Sequence, residues 1–315
     1  MAKSSVAPAA PSEILCVGEV LWDSLPSGLF LGGAPFNVAC HLRAAGMPAA
    51  MVSRIGDDRL GTEIVARASR FGVTVDLIQV DERLPTGFVS VTLDGNGVPT
   101  FDIVAPAAWD AIGSSEALLK RAAAARAIVF GSLAQRQAVS RATIEQLWKS
   151  NALMVFDVNL RPPFDDREVV RRSLQRADVV KMSEQELHQL VAWFGLPPGI
   201  REGATAIAEQ FGCPTVCVTR GDQGASLLHE GSWNEQDGFE VEVRDTVGAG
   251  DAFLAVLLVG LLTKMTPGAA LEHANLIGAY VVTQYGAVPT DQDAAAPPSL
   301  PAARPPRKRG RTRRA

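Results

Sequence analysis

Residues 245–253 read Asp-Thr-Val-Gly-Ala-Gly-Asp-Ala-Phe and open an apolar stretch. Gly248 and Gly250, on either side of Ala249, let successive backbone N–H groups converge where a helix starts. The unpaired donors and the dipole at a helix N-terminus favour an anion. Val247 to Gly250 therefore predict an anion hole with Asp251 at its rim. A carboxylate placed there suits a base that takes a proton from a hydroxyl while the hole stabilises charge on a phosphoryl group in transfer. A glycine turn with Asp251 as an ordinary N-cap would read the same way. Two other phosphate motifs are absent, since no GxxxxGK[ST] occurs and no GxGxxG follows the first apolar run.

The elements that would hold such a turn are those of an α/β protein. Glu13 to Val20 is a short apolar run broken by Gly18, which reads as a buried strand running into a loop over residues 25–33. Ala34 to Ala45 carries Pro35 in a first turn and apolar residues on one helical face, stopped by Gly46. A strand to Gly56 and a helix from Leu60 to Phe71 continue the rhythm. It is interrupted at Thr86 to Val104, where alternating residues flank an Asp-Gly-Asn-Gly turn and predict an antiparallel hairpin. Strands then recur around Ile128–Gly131, Leu153–Asn159, Asp178–Met182 and Thr215–Gly221. Two more are expected at Ala225–Glu230 and Phe239–Val243. Helices are expected around Thr143–Lys149, Glu168–Arg176, Glu184–Phe194, Ala204–Phe211, Ala249–Thr263 and Ala269–Tyr285. The alternation implies a mainly parallel sheet with helices on both faces, and a site beyond the carboxyl ends of its strands.

The 315 residues, 47% hydrophobic, suffice for a sizeable core. The net charge is −4, yet the last twelve residues hold seven Arg and Lys and no acid; taking those seven away leaves the rest at −11. An acidic body does not bind nucleic acid backbones, which leaves only the tail for polyanions. Residues 1–12 and 294–315 lack the apolar content to fold and read as disordered flanks of a domain over 13–293. The four cysteines lack paired spacing and read as buried reduced thiols, and the four histidines form no zinc pattern. No h-region or membrane-length apolar run occurs, which points to a cytoplasmic protein without a membrane partner.

With these residues in place, the chain resembles the ribokinase-like, or phosphofructokinase-B, family of sugar kinases. Asp245–Phe253 is similar to that family's carboxyl-terminal signature, and Gly32–Gly46 (GGAPFNVACHLRAAG) to its amino-terminal one. The likeness continues through Ser53–Gly61, Asp157–Pro163, Val218–Gly224 and His273–Pro289. It implies a three-layer fold and transfer of the γ-phosphoryl of ATP to a sugar, with Mg²⁺ and, in many members, K⁺. It also implies a small β lid, from about 24–32 and 86–104, that often serves as a homodimer surface; Phe88, Phe101 and Ile103 are its apolar candidates. GEVLWD, GGAPFNVA and PAAWD look more like the fructokinase branch than the ribokinase branch, which tends to have a lysine where Ala34 stands. The implied reaction is D-fructose to fructose 6-phosphate, with 2-keto-3-deoxygluconate kinase, ribokinase or a catalytically silent sensor as alternatives.

The resemblance also implies roles residue by residue. Asp23, placed at the end of the first strand, matches the sugar-binding acid, and a carboxylate can accept from two adjacent hydroxyls. Gly32 and Gly33 admit the sugar close to the backbone, and Asn37 offers it a donor and an acceptor. Asn159 and Arg161 leave a strand end, where the guanidinium would meet sugar or phosphate oxygens or pair with Asp165 or Asp166. Thr219, Gly221 and Gly224 match the nucleotide turn, with Val247 and Asn275 on the nucleotide side. Glu186 would hold Mg²⁺ through water, while Asp245 and Thr246 match the monovalent-cation position. One departure stands out: Ser183 replaces the family's asparagine in Asn-x-x-Glu, and Ser183 with Glu186 also reads as a capping box.

Overall fold

The computed structural model describes residues 13–25, 28–93 and 99–288. The expectations for residues 1–12, for the turn at 94–97, for the tail from 294 and for the Phe101 side chain fall outside them. β1 (Ile14–Val17) is followed by β2 (Leu21–Leu25), β3 (Gly28–Gly32) and α1 (Ala34–Ala44). Two expectations change here. Much of 25–33 is strand rather than loop, because β3 pairs antiparallel with β2 from Leu21↔Gly32 to Leu25↔Gly28. Asp23 accordingly lies inside β2 and not at the end of the first strand, which stops at Val17.

The chain continues through β4 (Ala49–Gly56), α2 (Arg59–Arg70), β5 (Ile78–Asp81), β6 (Gly87–Leu93), β7 (Pro99–Ile103) and α3 (Glu116–Ala124). Then come β8 (Ala127–Gly131), α4 (Ala138–Leu147), β9 (Leu153–Asp157), α5 (Arg167–Leu174), β10 (Val179–Ser183), α6 (Glu184–Phe194) and α7 (Ile200–Phe211). β11 (Thr215–Thr219), β12 (Ala225–His229), β13 (Ser232–Gln236), α8 (Ala249–Leu262) and α9 (Pro267–Val281) complete it. α3 and β5 go beyond the sequence reading. The first buries only Leu118 and Ala122, too few for a clear stripe, and the second is four residues long.

A nine-stranded sheet has the order β13-β12-β11-β10-β9-β8-β1-β4-β5, parallel from β11 to β5 with an antiparallel edge at β12 and β13. Residues 239–243, expected as a strand, are not one. Glu230 and Gly231, both at positive φ, turn the chain straight back, so Ser232–Gln236 takes the place beside β12. Side chains of β1 alternate between two cores, as a buried parallel strand requires. Leu15 and Val17 join Ile144, Val170, Leu187 and Ile207 on one face. Ile14 and Cys16 join Phe36, Ile64, Leu254 and Leu258 on the other. The result is three layers, with α3 to α7 on one side and α1, α2, α8 and α9 on the other. α8 is buried on nearly all sides, and Gly260 lets it approach Ala270 of α9. Each fully buried leucine there contributes about 1.5–3 kcal/mol.

A second, four-stranded sheet of order β3-β2-β6-β7 leaves the body after β1. Trp22 anchors it: the side chain is buried, Nε1 donates to Leu60 O at 3.1 Å, and the Arg67 guanidinium lies 4.9 Å over its ring. Phe88 and Ile103 pack back onto the body's cores. All four cysteines are buried free thiols, and burial pushes Cys213 and Cys217 up to about 12. Among the described residues no helix is long and apolar enough to cross a membrane.

Candidate active site

Glu19 just beyond β1, Asn159 beyond β9, Ser183 ending β10 and Thr219 ending β11 mark one edge of the parallel sheet, and α8 starts beside it. Asp251 is not the helix cap. Gly248 caps α8 at φ 77, in the left-handed region, with its Cα so close to Ala287 that any side chain would collide. Asp251 lies in the first turn, 9% exposed, and its Oδ2 accepts from Asn37 Nδ2 of α1 at 2.7 Å. Residues 214 apart in the chain thus meet. Asn37 Oδ1 stays buried without a protein partner, an acceptor left over for a ligand hydroxyl.

The amides of the turn divide. Val247 N–H donates to Asp245 Oδ1 at 3.0 Å, Ala249 N–H lies 3.4 Å from Thr246 O, and Asp251 N–H donates to Gly248 O at 3.1 Å. Among the described residues no acceptor takes the N–H of Gly248 or Gly250. The expected hole of Val247 to Gly250 therefore narrows to the two glycine donors, at a helix N-terminus that favours negative charge.

Charge is concentrated behind this turn. Lys181 of β10 is 6% exposed, and its Nζ lies 3.0 and 3.2 Å from the Asp157 carboxylate oxygens of β9. A Cβ added to Gly250 would fall 3.0 Å from the same Nζ. Burial pushes the Asp251 carboxyl upward, against Lys181, the Asn37 hydrogen bond, His41 and Arg161. Burial also carries Glu19 up to about 7, with Arg161 opposing and Asp251 reinforcing, and Glu19 Oε2 has no partner. Asp157 is half of a buried ion pair with Lys181. His41 is structural, its Nε2 on Ala287 O at 2.8 Å.

On the expected sugar side, Asp23 is half-buried, and burial raises it to about 6 against the Arg161 charge. Gly32 faces it: a Cβ there would lie 2.5 Å from Asp23 Oδ2, and one on Gly33, at φ 110, would lie 2.5 Å from Glu19 O. Asn159 holds a left-handed φ of 39, uncommon outside glycine. Arg161 is exposed and bonds its own neighbour, Leu160 O, at 2.9 Å rather than Asp165 or Asp166; Asp166 instead caps α5. Ser183 and Glu186 form the capping box, and Glu186 also accepts from Leu160 N–H at 2.7 Å, fixing the loop that carries Asn159 and Arg161.

On the expected nucleotide side, Thr219 ends β11, Gly221 has φ 59, and Gly224, at φ 91, packs on the Gln236 carbonyl. Asn275 Nδ2 lies 3.5 Å from the same Gln236 O, so a backbone contact already accounts for part of its burial. Asp245 accepts from Gly286 N–H at 3.0 Å as well as from Val247, tying the turn to the residues after α9, while Thr246 is exposed. The described residues contain no cluster of three or more His, Cys, Asp or Glu fit to hold a metal alone. One carboxylate such as Glu186 suits Mg²⁺, which keeps much of its shell as water and substrate phosphate.

The family model for pfkB carbohydrate kinases matches residues 28–294. The chain belongs to that family. Among carbohydrate kinases similar to it, the fructokinase of Klebsiella pneumoniae is 30% identical over 88% of this chain and 95% of its own length. Fructokinase-1 of Oryza sativa subsp. japonica is 31% identical over 88% and 94%. Of solved structures, the fructokinase of Vibrio cholerae O395 in its fructose, ADP and calcium ion bound form superposes with a TM-score of 0.74 at 29% identity, covering 88% of this chain and 94% of that one. An uncharacterized sugar kinase from Pyrococcus horikoshii in complex with ATP gives 0.72 at 28% identity, covering 87% and 93%. This carbohydrate kinase therefore has the ribokinase-like α/β fold expected from its signatures. Sequence reasoning misses Lys181 and Glu19. The available signal was a charge inside an apolar run, where burial demands a partner or a task.

Proposed function

We propose that this kinase transfers the γ-phosphoryl group of ATP to the hydroxymethyl group of D-fructose, giving ADP and fructose 6-phosphate. The observation that carries the reading is Asp251. It is a buried carboxylate oriented by Asn37 and set beside the unpaired N–H groups of Gly248 and Gly250. Asp251 takes the hydroxyl proton as the oxygen attacks phosphorus, and the two glycine amides stabilise charge on the group in flight. Burial moves the base toward neutral pH, where general-base catalysis is most effective. Arg161, exposed at the same edge, meets sugar or phosphoryl oxygens; Asp23 and the free Asn37 Oδ1 accept sugar hydroxyls. Glu186 would hold Mg²⁺ through water, and the ion would neutralise charge on the phosphates. The β3-β2-β6-β7 sheet acts as a lid that keeps water from the reacting oxygen.

ATP as donor is supported by the P. horikoshii relative, solved in complex with ATP. Fructose as acceptor is supported by the V. cholerae relative, solved with fructose and ADP. An ADP-coupled assay over fructose, ribose and 2-keto-3-deoxygluconate tests the choice of sugar. Turnover is expected with fructose; turnover of ribose or 2-keto-3-deoxygluconate without fructose would overturn it.

A further inference from the structure

Lys181 is out of keeping with its strand. Val179, Val180 and Met182 around it are apolar and buried, as befits the centre of a parallel sheet. Its ammonium pairs across the ladder with Asp157, in register on β9. Such a buried pair adds little net stability, since two apolar residues of similar volume serve a core as well or better. Packing therefore leaves the lysine unexplained.

Its other neighbours supply an explanation. Nζ lies beside Gly250, where an added Cβ would fall 3.0 Å from it; the Gly250 N–H is free and Asp251 follows directly in the first turn of α8. In the proposed reaction Asp251 must stay negative while a negative phosphoryl group arrives at the same turn. Like charges at that range repel, and the repulsion would protonate the base and push the nucleotide away. Several charged or polar groups face Asp251: His41 and Asn37 from α1, Arg161 from the loop after β9, Lys181 from β10, and Glu19 after β1. Asp157 on β9 stands behind Lys181. His41 is held toward its neutral form by burial, and Arg161 is exposed. Burial opposes the charge on Lys181, but Asp157, Asp251 and Glu186 together outweigh it and keep the amine protonated.

We propose that Lys181 is a positioning residue for phosphoryl transfer, the fixed counter-charge that holds Asp251 negative and backs the Gly250 amide as the phosphoryl group arrives. Asp157 keeps the ammonium in place between transfers. This rests on Asp251 being the base, and the test separates the two ideas.

Four variants of the full chain are compared with the wild type: Lys181→Met, Asp157→Asn, the double variant carrying both, and Asp251→Asn. Steady-state constants and the pH profile of kcat/KM are measured with the sugar that is turned over. Lys181→Met is expected to lower kcat by roughly 10- to 100-fold with little change in sugar KM. It leaves Asp157 unpaired and is the variant most prone to misfold, so the decisive comparison is the double variant with Asp157→Asn, neither of which buries an unpaired carboxylate at that position. The acid limb of the double variant should lie about one pH unit above that of Asp157→Asn, because the base has lost its counter-charge. Coincident limbs and equal kcat would overturn the proposal, and so would a double variant that fails to fold where Asp157→Asn folds, since the lysine would then be structural. Wild-type kcat in Asp251→Asn would instead remove the base, and the counter-charge with it. An inactive Asp251→Asn beside coincident limbs would remove only the counter-charge.

Discussion

Asp251 and Asn37 form the smallest unit of this site, and each constrains the other. Asn37 Nδ2 donates to Asp251 at 2.7 Å, which favours the ionised carboxylate. Asp251→Asn should lower kcat by roughly 10²- to 10⁴-fold while leaving ATP affinity nearly unchanged, as titration of ATP against both proteins would show. Asn37→Ala should act through the same carboxylate. Its loss removes a bond that lowers the base's pKa, so the acid limb of kcat/KM should move to higher pH, by about one unit. An unmoved limb would mean that Asn37 serves only the sugar.

At the scale of elements, the start of α6 shows a motif doing a structural task in an expected ligand position. Ser183 accepts from Glu186 N–H at 3.2 Å, and Glu186 returns a bond to Ser183 N–H at 2.7 Å. The same Glu186 carboxylate fixes Leu160, so the capping box of one helix sets the loop after β9. Ser183→Ala should cost about 1 kcal/mol of stability, read as a lower denaturation midpoint. Ser183→Asn, which restores the family's residue and also caps well, should cost little. The start of α8 follows different rules. Only glycine suits position 248, because its φ is positive and Ala287 fills the space beside it. Part of this is legible in the sequence: the glycine turn, the capping box and α6 follow from residue types and spacing. The place of β13 is not, because residues 239–243 alternate like a strand, and only the tight turn at Glu230 and Gly231 gives the edge to Ser232–Gln236.

Over the whole molecule, the parallel sheet gathers several carboxylates at one edge and buries them. Burial raises Glu19 to about 7 and Asp157 to about 6. A carboxyl group whose folded pKa lies above its unfolded value stabilises the fold when protonated, and that contribution is lost as pH rises through the folded pKa. For Glu19, which has an unpaired oxygen, stability should rise as pH falls from about 8 toward 5, by on the order of 3 kcal/mol. In denaturant titrations across that range, Glu19→Gln should flatten the rise; an unchanged slope would show that Glu19 is not its source.

The alternation of strand and helix along most of the chain, the two glycine signatures and the candidate base were determined by the sequence, since hydrophobic period and turn chemistry are local properties. Only the tertiary structure decided that Asp251 is held by Asn37 rather than capping its own helix, and that the free donors are those of Gly248 and Gly250. It alone showed a lysine buried in the sheet against the same turn. These facts depend on the packing of α1, α8, β9 and β10 against one another, and the distances between side chains on different elements are set by that packing, not by any spacing along the chain.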